Sequence, residues 1–139
     1  MSTVAQLQVY KDNQLTTTDS GTVLLMLYQG TIDFLNRANE SMAAGKVADK
    51  GHFILRASDI INQFLASLDH EIGGEIAKNL EALYQYMLEQ ILVANVKNDP
   101  EPIAQVVSLL STLKSGWEEA VVVQRKKVAF GGVSDAKGD

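Results

Sequence analysis

The chain has 139 residues, enough for one domain that buries a core without staples, and its 46 % apolar and 21 % charged side chains are an ordinary globular balance. It has no cysteine, so disulfides, thiolate zinc sites and cysteine nucleophiles are excluded. A formal net charge of −5 does not invite nucleic acid or anionic lipid. No apolar run approaches a membrane span, and no signal-peptide core follows Met1-Ser2-Thr3, so a cytoplasmic protein is expected.

Residues 1–18 read as an N-terminal arm. Val4, Leu7 and Tyr10 are spaced for a short helical turn, which Asn13 and the run Thr16-Thr17-Thr18-Asp19-Ser20-Gly21 interrupt. That run supplies N-cap residues ahead of an apolar series. The spacing predicts a first helix from about Ser20 to Ala44, with an inner stripe of Leu24, Leu27, Tyr28, Thr31, Phe34, Leu35, Ala38 and Met42. Leu25 and Ile32 are read as lying off that stripe. Gly45 is a natural stop.

A second helix is predicted over about Val47 to Leu68, with Phe53, Ala57, Ile60, Ile61, Phe64 and Leu68 inward, Leu65 on the flank and Leu55 outward. Asp69 to Gly74 reads as a short connection. The third helix, Gly74 to Asp99, is apolar over most of its circumference. Ile76, Leu80, Leu83, Tyr84, Met87, Ile91 and Ala94 mark one face, and Tyr86 and Val93 point away from it. Leu88 and Leu92 lie on its flank. Such a helix is either central to a larger bundle or has a second partner.

Asp99 caps the fourth helix, and Pro100 and Pro102 fit a first turn whose amides need no intrahelical acceptor. Ile103, Val106, Val107, Leu110, Leu113, Trp117 and Val121 form its stripe, and Gln124-Arg125-Lys126-Lys127 suits a helix C-terminus. Residues 130–139 read as a polar, disordered tail. The expected fold is all-α: an antiparallel up-down four-helix bundle over residues 19–129, with the arm before it and the tail after it.

Chemical motifs are sparse. His70-Glu71 begins like a zinc-protease motif, but Gly74 stands where the second His belongs. No Glu has a His three residues later, as an inward di-metal centre needs, and Glu40 and Glu81 read as solvated. Only two His and no Cys leave no nucleophile–base pair. No metal site, cofactor site or catalytic residue is expected. The enzymatic alternative is phosphotransfer through His52 with Arg56 one turn on, and it is disfavoured because a lone His is weak evidence. Lys46, Lys50 and Arg56 are too sparse for a nucleic-acid patch. The surplus apolar residues, Leu25, Ile32, Leu55, Leu65, Tyr86, Leu88 and Val93, collectively favour a surface for an amphipathic partner helix. A bundle that only dimerises through this flank is the other alternative.

These residues resemble a known family from Tyr10 to Trp117. The match takes in Tyr10 with Asn13, Met26-Leu27-Tyr28-Gln29-Gly30 with Phe34-Leu35 and Ala38, Arg56-Ala57 with Ile60-Ile61, and Leu65 with Leu68-Asp69. It continues through Gly73-Gly74-Glu75-Ile76-Ala77, Asn79-Leu80, Leu83-Tyr84, Tyr86-Met87, Ala94-Asn95, Asn98-Asp99, Leu109-Leu110 and Trp117. Their order and spacing resemble the flagellin-specific export chaperones of the FliS family. Asp19-Ser20-Gly21 departs from the family's frequent Ser-Pro helix start, and Gln29 from its frequent acidic residue. The resemblance implies a cytoplasmic chaperone that binds the disordered C-terminal segment of flagellin, blocks premature polymerisation and delivers flagellin to the flagellar type III export apparatus, whose components are further partners. It implies that the arm folds over part of the groove when it is empty; Tyr10 is the candidate plug, with a disordered arm as the alternative. The expected flagellin-binding residues are Leu25, Ile32, Leu65, Tyr86 and Leu88, and the expected state is a monomer or weak homodimer with no nucleic-acid or membrane partner.

Overall fold

The computed structural model describes the backbone of residues 17–138 and the side chains of residues 20–123. Among the described residues there are four helices: α1 Thr17–Ala43, α2 Val47–Ala66, α3 His70–Lys97 and α4 Glu101–Gly138. No strand occurs among the described residues. Consecutive helices are joined by short connections and pack side by side, and α4 closes the ring against α1. The up-down direction shows in contacts between opposite ends. Asn39 near the end of α1 donates to the Pro100 carbonyl before α4, at 3.1 Å, and a Cβ at Gly21 would strike Val121 at the other end of the same pair.

Each expected helix is present, with end shifts that have local causes. Gly45 (φ 72°) terminates α1, and the Lys46 amide closes a 2.8 Å bond to the Ser41 carbonyl, the wider of the two bonds of a Schellman ending. Asn98 (φ 53°, ψ 46°) ends α3 in the left-handed conformation, which Asn tolerates. The Asp99 carboxylate accepts from the Glu101 amide at 3.0 Å, the expected cap of α4. The helix assignment of α4 continues to Gly138, over the stretch read as a tail; its side chains beyond Val123 lie outside the described residues.

The start of α3 differs from the expectation. Asp69 caps a helical turn by accepting from the amides of Glu71 and Ile72, both at 3.0 Å, so the connection expected over residues 69–74 is largely helical. The turn breaks at Gly74, whose φ of 51° and ψ of −123° a side chain would resist. Across this break His70 Nε2 lies 3.7 Å from Glu81 Oε2, whereas Eleven residues of unbroken helix would span roughly 16 Å. Ile76, placed on the inner face by period, is 68 % exposed beside this break.

The core runs the length of the bundle and includes the fully buried Tyr28, Leu35, Ile61, Phe64, Met87, Ile91, Ile103 and Leu110. Ala38, Ala57, Ala77 and Ala94 are also buried, where small side chains allow helices to approach. Phe64 lies between two tyrosines, with ring centroids 4.7 Å from Tyr28 and 5.4 Å from Tyr84. The two tyrosine hydroxyls are hydrogen-bonded to each other. Trp117, expected in the core, packs half-buried against this cluster.

Candidate binding surface

The outer faces of α3 carry the apolar surplus. Between α3 and α4, Leu83, Tyr86 and Leu109 line a shallow cleft of about 370 Å³, edged by Gln105 and Ser108. Tyr86 is 42 % exposed there. On α2 and α3, Leu55, Leu92 (62 % exposed) and Val96 (76 %) are open to solvent. By the 3.6-residue period Leu92 and Val96 lie away from the Met87, Ile91 and Ala94 face. Leu65 and Leu88 are half-buried and packed on the core, each on the flank its helix turns toward the other. Apolar residues thus lie on both sides of α3.

Not every expected site residue belongs to this surface. Leu25 is half-buried on the flank of α1 that faces α4, apart from the α3 surfaces. Ile32 is a correction: it is 7 % exposed and part of the core cluster. It stands one turn after Tyr28 and three residues before Leu35, so α1 presents a stripe wide enough to pack on both α2 and α4. Tyr10 lies outside the described residues. Val96 was missed by periodicity because it sits outside every inner-face spacing. The signal available was a four-residue step from Leu92 on the face turned away from the core.

Several buried polar groups serve the bundle itself. Lys50 is buried, and its ammonium donates to the Asn95 carbonyl at 3.3 Å and to Asn98 Oδ1 at 3.0 Å. A lysine of α2 thereby satisfies acceptors at the C-terminus of α3, where positive charge suits the helix dipole. Burial pushes the Tyr28 hydroxyl up from its ordinary pKa, against the opposing effects of Tyr84 and Trp117. Burial, then the neighbouring Tyr28, pushes Tyr84 up as well. The Trp117 indole nitrogen is near enough to act on Tyr28 yet makes no hydrogen bond of good geometry.

The structure does not pair the residues of the phosphotransfer alternative. His52 is exposed, its ring centroid 5.6 Å from that of Phe53, and no hydrogen bond or ion pair joins it to Arg56 among the described residues. Those residues hold no group of three His, Cys, Asp or Glu suited to a metal ion, and no helix long and apolar enough to cross a membrane.

The described residues form a helical bundle that leaves large apolar side chains uncovered, an architecture suited to binding another polypeptide. The model of the family described as "Flagellar protein FliS" matches residues 3–124. Among similar proteins is the Flagellar secretion chaperone FliS of Vibrio cholerae, 38 % identical over 117 residues, which cover 81 % of this chain and 86 % of that one. The Flagellar secretion chaperone FliS of Salmonella typhimurium is 37 % identical over 116 residues, covering 83 % and 86 %. The Flagellar secretion chaperone FliSB of Pseudomonas aeruginosa is 35 % identical over 111 residues, covering 80 % and 88 %. The chain belongs to the FliS family of flagellar secretion chaperones, which are not enzymes.

Proposed function

We propose that the chain holds the C-terminal segment of flagellin in the cytoplasm, prevents its premature polymerisation and passes it to the flagellar type III export apparatus. The observation that carries this reading is the pair of apolar surfaces flanking α3, with Tyr86 on one side and Leu88, Leu92 and Val96 on the other. An amphipathic segment lying along either would bury apolar area at about 25 cal/mol per Å², less the costs of association. A ligand that orders only on binding covers a large surface and surrenders part of that energy, which keeps release within reach.

The test is gel filtration of the chain with and without a flagellin C-terminal peptide. Co-elution with the wild type, lost in Leu92→Asp/Val96→Asp and in Tyr86→Asp variants of unchanged helicity, is the expected result. Full binding by all of these variants overturns the reading. For the arm, we expect deletion of residues 1–14 to speed peptide association if Tyr10 occupies the empty groove. An unchanged association rate removes that role.

A further inference from the structure

At the end of the bundle where α1 ends and α2 begins, a cleft of about 400 Å³ is lined by Arg37, Glu40, Ser41, Lys46, Asp49 and Phe53. Three of its features point to an anion. Lys46 occupies the N-cap of α2 with no side-chain cap, so the first-turn amides have no capping acceptor. The Ser41 side chain lines the cleft, although the residue is only 7 % exposed, and its hydroxyl has no hydrogen bond among the described residues. Arg37 and Lys46 form no ion pair among those residues, although Glu40 and Asp49 share the cleft. Arg37 instead lies with its guanidinium carbon 5.8 Å from the Phe53 ring centre.

We infer that this cleft binds a single carboxylate carried by the polypeptide the chaperone holds, an assignment that rests on the function proposed above. The two cations and two carboxylates cancel, leaving the partial positive charge of the α2 N-terminus, roughly half an elementary charge. That balance suits a monoanion and disfavours a dianion such as phosphate, which Glu40 and Asp49 would repel. The carboxylate accepts from the uncapped amides and from the Ser41 hydroxyl, with Arg37 and Lys46 as charged donors. The source is either the polypeptide's C-terminus or an acidic side chain.

The site is tested in the full-length chain by following the amide resonances of Val47, Ala48 and Asp49. Sodium acetate should move them more than sodium chloride at matched ionic strength, and Arg37→Gln/Lys46→Gln should abolish the difference while helicity is kept. Equal responses to the two salts overturn the site. With flagellin C-terminal peptides, the double variant should bind roughly tenfold more weakly than the wild type, the size of one charge-assisted contact. A C-terminally amidated peptide that loses the same factor on the wild type assigns the C-terminus. If amidation has no effect, a peptide Asp or Glu whose amide replacement loses that factor assigns a side chain. Equal affinity of wild type and double variant for the peptide overturns the inference and leaves the chaperone reading standing. An acetate response without any peptide binding keeps the carboxylate site and removes the chaperone reading.

Discussion

Ile32 and Leu92 show how little a residue's type says about its duty. Both are large aliphatic residues on helices, yet Ile32 is sealed in the core and Leu92 faces solvent. Ile32→Ala should therefore cost about 2–5 kcal/mol in chemical denaturation, while Leu92→Ser should stay within about 0.5 kcal/mol. Lys50 is a buried cation serving as a cap for a neighbouring helix. Lys50→Met should cost roughly 1–3 kcal/mol, because the Asn95 carbonyl and Asn98 side chain lose their donor. The tyrosine pair gives a pH signature. Both hydroxyls have raised pKa values in the folded chain, and an unfolded tyrosine ionises near 10. Their contribution is complete below about pH 10 and is lost as pH rises toward the raised folded values, because only the unfolded chain releases those protons there. The denaturation midpoint should fall more steeply above that pH in the wild type than in Tyr84→Phe.

At the scale of the element, α3 is the helix whose sequence and surroundings are least matched. It packs on α2 and α4, but its apolar residues extend round to faces that neither covers. Periodicity made that surplus legible in Tyr86, Leu88 and Leu92. It could not show that the first turn folds away at Gly74 and leaves Ile76 exposed, because a period assumes one uninterrupted axis. Gly74→Ala should destabilise by about 1–3 kcal/mol, since a Cβ penalises this positive-φ backbone conformation. Its effect should be local, seen as faster amide exchange over His70–Gly73 with the rest of α3 protected. The His70–Glu81 pair across the break is half-exposed and adds little to holding it.

At the scale of the whole molecule, apolar burial should govern partner affinity, with the single carboxylate contact as a small addition. Affinity for a flagellin C-terminal peptide should therefore change little between low and moderate salt, and a loss of several hundredfold would show that charge governs it instead. The sequence by itself determined the helical class, the four segments and the cap at Asp99, because these depend on period, propensity and neighbouring side chains. Its residues also carried the family likeness. Tertiary structure decided which flank of each helix is covered, since that depends on how far each neighbour reaches around it. That is why Ile32 joins the core between α1 and its neighbours, why Leu65 and Leu88 are only half-covered, and why Ser41 and Lys46, far apart in role on a helical wheel, meet in one cleft.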